Sequence, residues 1–343
     1  MRAMMFKEYG DPNVLVEVEV EDPRPGPGEV TVRVSSTSVN RIDVLMRRGV
    51  EGYRVALPHV PGSDVVGFVE EVGEGVTWLD RGDFVVANPL YGCGRCYNCS
   101  RGLEVLCDEW RMIGYHTWGS YAELVRVPAR TLIKLDKPPL DPNIMGVVPQ
   151  AYFTAWRALK VANVRPGDRI LVWGATGGVG VFAVQIAKYL GAIVIGVGGP
   201  GWKLQKLREL GVDLAVSYLD PDFKAKVLEF TGGAGVNVVI NSIGGGTLLD
   251  SIDIAKRGAV IVVLGVLAGA SINLPIRKFY LKNLKLIGII LSTRADAIEA
   301  LKALETGRIK PVIEATLRLW DAPRAHELLE GGEVFGKILL SMR

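Results

Sequence analysis

Cysteine is nearly missing from this chain: its four cysteines all fall between positions 93 and 107. Disulfide cross-links spread through the fold are thereby excluded, and within a cytoplasmic protein a local disulfide set is the poorer reading of the cluster. Blocks of like charge are also lacking. Forty basic and 37 acidic residues leave a net charge of +3, which makes no electrostatic case for nucleic acid or an anionic membrane. The most apolar stretch, Ala259 to Ile272, contains Gly265 and Gly269 and falls short of the ~18–20 residues a membrane helix needs. It reads instead as a buried strand and its following turn. The start, Met1 to Lys7, carries no apolar signal region, so a cytoplasmic location is expected. Glutamine occurs only at Gln150, Gln185 and Gln205; this depletion of thermolabile residues points to a heat-adapted, thermophilic source. No internal repeat or low-complexity segment is present.

What is there suits two domains, since 343 residues with 49% hydrophobic content exceed one ordinary core. The middle of the chain alternates apolar runs with helical segments. Expected strands are Arg169–Trp173, Ile193–Val197, Leu214–Ser217, Val236–Ile240, Ala259–Leu264 and Leu284–Ile287, with helices at Val179–Leu190 and Trp202–Leu210. Continuous apolar strands each followed by a helix predict a doubly wound parallel sheet covered on both faces. The first ~150 residues instead carry short alternating strands such as Glu29–Val34, punctuated by Pro23, Pro25 and Pro27, and predict a mostly antiparallel β domain. The C-terminal ~50 residues read as an amphipathic helix Ala295–Leu304, a turn, a strand and a terminal strand Gly336–Ser341.

Between the strand ending at Trp173 and the helix starting at Val179 lies Gly174-Ala175-Thr176-Gly177-Gly178-Val179-Gly180. Glycines there allow a tight turn and close approach of a pyrophosphate to the amides at the helix N-terminus. An NAD site normally places a carboxylate about 20 residues further on. Here the next strand runs into Gly198-Gly199-Pro200-Gly201, while Lys203, Lys206 and Tyr218 offer charge and a hydroxyl. NADPH (NADP+) is therefore favoured over NADH. Cys93, Cys96, Cys99 and Cys107 match a closed tetrahedral site for structural zinc. An iron–sulfur cluster can use similar spacings and is the weaker alternative.

Taken together, these features resemble the medium-chain dehydrogenase/reductase superfamily over nearly the whole chain. Its motifs are Pro61-Gly62-Ser63-Asp64-Val65-Val66-Gly67, Glu71-Val72-Gly73, Gly82-Asp83-Phe84-Val85, Gly119-Ser120-Tyr121-Ala122-Glu123, Thr154-Ala155-Trp156, the cysteine lobe and the glycine turn. The resemblance implies an α/β protein with a GroES-like, mainly antiparallel β catalytic domain (1–153 and 291–343, zinc lobe about 91–108). A doubly wound, six-stranded parallel Rossmann domain would span 154–290. It also implies a homodimer or homotetramer, often paired through the edge of the cofactor sheet.

Residue by residue, the chain departs from the zinc alcohol dehydrogenases. Asn40 and Ser63 stand where that group has cysteine and histidine zinc ligands, and its third ligand aligns near Gln150. Its relay serine and histidine appear as Ile42 and Leu45. An ordinary catalytic zinc is thus not expected, although a non-standard site drawn from Asp43, His59, Asp64 or His116 remains open. Asn40, Asp43, Ser63 and Asp64 resemble the quinone-reductase branch, but the tyrosine usual in that branch two residues after the aspartate is Leu45 here. By the same resemblance, Arg41 and Lys337 meet the cofactor pyrophosphate. Thr154, Leu264-Gly265-Val266 and an Ile289–Leu291 strand are expected to form the nicotinamide pocket, with Ile243 also binding cofactor; from the glycine turn itself, Thr176, Gly177, Gly178, Val179 and Gly180 are expected to cradle phosphates, and Gly198, Gly199, Lys203 and Tyr218 to surround the 2′-phosphate.

The expected chemistry is hydride transfer between NADP(H) and a small apolar carbonyl or alcohol, with Asn40, Ser63 and Gln150 as neutral oxyanion donors. Reduction of quinones or enones is the alternative. A non-catalytic NADPH-binding protein is the reading from another class. Tyr53, His116 or water would deliver the proton.

Overall fold

The structure is a computed structural model that describes residues 1–199 and 201–342; Pro200, in the turn after the second expected strand, and Arg343 lie outside the described residues. The chain forms two compact units: Met1–Phe153 with Leu291–Glu305 and Ile313–Arg343, and Thr154–Ile290 with Thr306–Val312.

In the second unit, Ile170, Leu171 and Val172 are all fully buried, as apolar residues without alternation must be when helices cover both faces of a sheet. Six strands pair in parallel in the order Leu214–Ser217, Ile193–Gly198, Arg169–Trp173, Val236–Asn241, Ala255–Val263, Lys285–Gly288. This is the doubly wound Rossmann sheet. The fifth strand starts at Ala255 rather than Ala259, because a register shift between Val236 and Val238 lets Ala255 pair with Val236 ahead of the main ladder. The expected Ile289–Leu291 strand is not formed. The ladder ends at Gly288, and Leu291 has φ 44°, a left-handed conformation that cannot continue a strand. Thr306–Val312 also differ from expectation by packing with this unit. Gln185 donates to Lys310 O (2.8 Å) and accepts from Lys310 N (2.9 Å), and the Arg308 guanidinium stacks over Tyr189.

The first unit is built on a seven-stranded sheet. Its path runs Ile313–Arg318, Lys337–Ser341, Glu29–Ser38, Val66–Val72, Phe84–Ala87, Leu132–Lys134, with Leu124–Pro128 also paired to Glu29–Ser38. Every pairing except the first is antiparallel, in keeping with a GroES-like domain. Val30, Val32 and Val34 point into the core while Arg33 is exposed, the period-2 pattern that made the strand legible. Beyond Val34 the strand continues through buried Ser36, Thr37 and Ser38. Their hydroxyls are all satisfied: Ser36 donates to Pro142 O (3.0 Å), Thr37 shares a hydrogen bond with Ser120 (2.7 Å), and Ser38 donates to Asp64. A helix not expected from the sequence, Ala322–Gly331, lies between the last two strands. Proline stands in its first turn and Gly332 closes it at φ 73°. No helix of the described residues is long and apolar enough to cross a membrane.

Candidate active site and zinc lobe

In the first unit the helix Arg41–Arg47 begins directly after Asn40, whose backbone N–H donates to Asp43 Oδ2 at 2.8 Å. That cap turns the Asn40 side chain toward Asp64, two residues before the strand Val66–Val72. Asn40 Nδ2 donates to Asp64 Oδ2 (2.7 Å), and Asn40 Oδ1 accepts from Lys337 Nζ (2.5 Å). Lys337 also donates to Val39 O (2.9 Å) and lies 3.8 Å from Asp64. The Asp64 carboxylate further accepts from Ser38 Oγ and from Gln150 N (2.7 Å). Ser63 Oγ donates to Gln150 Oε1. The structure thus brings Asn40, Ser63 and Gln150 into one network, on which Asp64 and Lys337 converge.

Asn40, Asp43, Ser63, Asp64 and Lys337 are all buried, and burial sets the electrostatics. It raises the Asp43 carboxyl to about 7, against hydrogen bonds from the Asn40 and Gly62 amides. It also pulls the Lys337 ammonium down, opposed by Asp64 and then Asp43. Lys337 therefore differs from expectation: its head group is spent on Val39, Asn40 and Asp64 instead of being presented for a pyrophosphate. Arg41 is half-buried and donates to Leu329 O (3.3 Å); burial lowers its pKa, with Glu330 opposing. Tyr152 is fully buried, with its hydroxyl on Ala300 O (2.7 Å).

A second metal set from Asp43, His59, Asp64 and His116 is not assembled. His59 Nε2 is bonded to Gly114 O (3.0 Å) and His116 Nδ1 accepts from Met112 N (3.0 Å). Burial lowers both imidazole pKa values. Among the described residues, one group of three or more His, Cys, Asp or Glu could share an ion: Cys93, Cys96, Cys99 and Cys107, whose sulfurs all lie within 4.8 Å of one another. Cys93 and Cys99 Sγ are 4.0 Å apart, close to the ~3.8 Å that zinc–sulfur bonds of about 2.3 Å impose in a tetrahedron. Backbone N–H groups of Cys93 and Cys99 donate to Cys107 and Cys96 sulfurs, as suits thiolates. Gly92 makes the lobe possible, because a Cβ there would sit 2.4 Å from Cys99 Sγ. The residues fit a structural zinc ion.

In the second unit, the helix Gly178–Tyr189 starts after Gly177, and no side chain caps it. Gly178, Val179 and Gly180 therefore present the unsatisfied amides of a first turn. Gly180 is obligatory, since a Cβ there would lie 2.0 Å from Gly174 O. This uncapped cradle fits a pyrophosphate. Thr176 is buried beside Gly198, where a Cβ would press on its methyl at 2.9 Å. Tyr218 is exposed; its N–H donates to Gly198 O (3.1 Å), and its hydroxyl and the Lys203 stem flank the Cβ position of Gly199. Trp202, absent from the expected site, carries the Lys203 and Lys206 ammonium groups each 5.2 Å from its ring. Thr154 is buried in the helix Pro149–Val161. Asn241 orders the Ile243 segment by accepting from Ile243 N (3.0 Å) and Gly244 N (2.8 Å), and its carbonyl accepts from Leu264 N (3.0 Å). Gly265 packs on Ser242 O, and Val266 is exposed. Ile289 N donates to Val263 O (3.0 Å), whereas Leu291 belongs to the first unit.

Comparison with known proteins agrees with both units. Residues 26–137 match the alcohol dehydrogenase GroES-like domain and residues 178–306 the zinc-binding dehydrogenase family. The chain belongs to the medium-chain dehydrogenase/reductase superfamily. It is 33% identical over 318 residues to an alcohol dehydrogenase of Geobacillus stearothermophilus, covering 92% of each chain. An acryloyl-coenzyme A reductase of Metallosphaera sedula is also 33% identical, over 91% of this chain and 92% of that protein. A crystal structure of an NAD-dependent alcohol dehydrogenase superposes with a TM-score of 0.93 at 36% identity, covering 100% of both chains. This dehydrogenase/reductase chain is therefore an oxidoreductase of alcohol dehydrogenase type. The residues that sequence reasoning underused are Ser38, Asp64 and Trp202. Asp64 was visible inside Gly-Ser-Asp, but nothing in the spacing announced that Ser38, Asn40, Gln150 and Lys337 would meet on it.

Proposed function

We propose that this protein is an NADP(H)-dependent oxidoreductase that interconverts a small apolar ketone and its secondary alcohol without a catalytic zinc ion. The observation that carries this reading is the bonding of Asn40, Ser63 and Gln150 to one another's network instead of around a metal-sized centre. When bound, the nicotinamide supplies the hydride. The chain's own groups hold the carbonyl oxygen. With Oδ1 on Lys337 and one Nδ2 hydrogen on Asp64, Asn40 retains its second amide hydrogen as a donor. Gln150 is held in the same network, with Oε1 accepting from Ser63 and its backbone N–H donating to Asp64. Neutral donors polarise a carbonyl less than zinc does, which favours ketones of modest difficulty or conjugated substrates.

The preference for NADP(H) is supported by Gly198 and Gly199, where a carboxylate would repel a 2′-phosphate, and by Lys203 and Tyr218 beside them. One structural zinc ion per chain is assigned to Cys93, Cys96, Cys99 and Cys107. A homodimer or homotetramer is supported by the strand Lys285–Gly288. It forms a free edge of the parallel sheet, and exposed Leu286, Ile276, Tyr280 and Leu281 belong to it or to the helix before it.

A second reading, reduction of a conjugated enone, quinone or enoyl thioester, is favoured by the similarity to an acryloyl-coenzyme A reductase. The test measures zinc per chain together with NADPH and NADH turnover on cyclic ketones, enones, quinones and an enoyl thioester. One zinc with ketone turnover is the expected result. Two zinc ions per chain, or ketone turnover arrested by a chelator that spares the fold, would overturn the zinc-free site. Conjugated substrates alone would select the second reading.

A further inference from the structure

The chain has three histidines, and two are consumed by the fold. His59 is buried, with Nε2 on Gly114 O (3.0 Å) and its ring edge-on to Phe6. His326 is buried with Nε2 on the Tyr121 hydroxyl (3.2 Å). His116 is different. It is exposed, and its Nδ1 accepts the Met112 backbone N–H at 3.0 Å while the His116 backbone N–H donates to Met112 O at 2.9 Å. Because Nδ1 is an acceptor, the neutral ring must carry its hydrogen on Nε2. Nε2 has no hydrogen-bond partner among the described residues. Trp110 and Tyr115 hold the ring edge-on, with centroids 5.0 and 4.5 Å away.

The surroundings connect this ring to the polar network. Trp110 and Tyr115 pack, together with Ile42, on the apolar cluster of Leu90, Val105, Met112 and Leu291. Ile42 lies in the first turn of the helix that Asn40 opens. The loop bearing His116 is also seated on the segment bearing Ser63. Gly119 N donates to Val60 O (2.8 Å), Ser120 N donates to Gly62 O (2.9 Å), and a Cβ on Gly114 would lie 3.0 Å from Ser63 N.

We propose that His116 is a catalytic residue whose Nε2–H donates a hydrogen bond to the carbonyl oxygen of the substrate, alongside an apolar wall of Trp110, Tyr115 and Ile42 that receives the substrate's hydrocarbon part. This deepens the proposed carbonyl chemistry and rests on it. The ring acts as a neutral electrophile and transfers no proton, because protonating Nδ1 would break its bond to Met112 N–H; the proton that turns the alkoxide left by hydride transfer into the alcohol comes from water. Partial burial and then the nearby Arg111 lower its pKa, in the same direction as the hydrogen bond that Nδ1 accepts. A donor fixed by its other nitrogen, in an apolar frame, joins the Asn40 amide on one carbonyl oxygen and selects compounds with a compact ring or branched chain beside it.

The test compares wild type with His116→Phe, which keeps the aromatic packing but has no donor, and His116→Gln, which restores an N–H. For His116→Phe, kcat/KM for the preferred carbonyl substrate is expected to fall about 10–100-fold. Substantial recovery is expected in His116→Gln, with Tm and cofactor affinity unchanged in both. A second readout needs no turnover. In protein holding NADPH, long-range proton–nitrogen spectra should show His116 protonated on Nε2, and the unreactive carbonyl probe benzamide should shift that resonance. Wild-type kcat/KM in His116→Phe, or no response of His116 to saturating benzamide, would overturn the assignment while leaving the carbonyl reading intact. A wild type that binds NADPH but turns over none of the carbonyl panel would overturn both.

Discussion

Asn40 Nδ2 donates to Asp64 Oδ2 at 2.7 Å, which fixes the amide by the opposite end from the one Lys337 holds. The amide is thus strung between a buried anion and a buried cation. Its orientation is set by both charges rather than by its own rotamer preference. Breaking a buried set of this kind by removing one charge costs about 3–5 kcal/mol, because the other is left uncompensated. The prediction is that Lys337→Met lowers the unfolding free energy in urea by about that amount, while Lys337→Arg loses less. A Lys337→Met protein of wild-type stability would show that Asp64 needs no cation.

The pH dependence of stability should be nearly flat where two buried groups oppose each other. Burial raises Asp43 to about 7, whereas an unfolded aspartate titrates near 3.9. The folded state therefore holds the extra proton, and this contribution is full below about pH 4 and lost as pH rises through about 7. Burial, with a further push from Arg47, drives His326 down to about 3. The unfolded state then holds the extra proton, and stability is lost as pH falls from about 6.5 toward 3. The two slopes have opposite signs and overlap between roughly pH 4 and 6.5. Asp43→Asn should unmask a loss of stability toward acid, and His326→Gln a gain. Urea midpoints taken at half-unit pH steps would read this, and unchanged flat profiles in both variants would refute it.

Removing the zinc ion from the lobe should unfold it locally and weaken the whole unit, since binding energy of a structural zinc is folding energy. Cys107 is the most buried of the four ligands. Cys107→Ser is expected to abolish the bound zinc and lower Tm by on the order of 10 °C. Metal analysis and calorimetry on the same preparation would check both parts.

Cofactor choice should turn on Gly199. The nearest atoms to a Cβ there are the Tyr218 hydroxyl and ring and the Lys203 stem, all at 3.6 Å or more, so a side chain fits. Gly199→Asp would place a carboxylate where the 2′-phosphate is proposed to lie. The ratio of kcat/KM for NADPH over NADH is expected to fall at least about tenfold, as like charges in one site repel by several kcal/mol. An unchanged ratio would remove Gly199 from the adenosine site.

Assembly through the sheet edge predicts that Leu286→Glu, which puts charge on an exposed edge position, shifts the protein to monomers in light scattering. Persistence of the wild-type mass would place the interface elsewhere.

The sequence by itself determined the fold class and two of the site's parts. Short apolar runs bounded by turns and alternating with helices read as strands covered on both faces, and the observed six-stranded parallel sheet follows them to within a residue or two at most ends. The glycine turn and the cysteine lobe are local: their residues are neighbours in the chain, so spacing alone carries their geometry. The helix Ala322–Gly331 went unread in the sequence: its fully buried residues are the small Ala322 and Ala325 with His326, while Leu328 and Leu329 pack on the core only partly buried. Only the tertiary structure decided the polar network. Ser38, Asn40, Asp64, Gln150 and Lys337 come from distant segments, and each has an ordinary solvated reading alone. Burial withdraws water from all five, and a buried charge or amide must then find its partner within the fold. The same holds for His116, whose tautomer is set by a backbone N–H that no sequence pattern reveals.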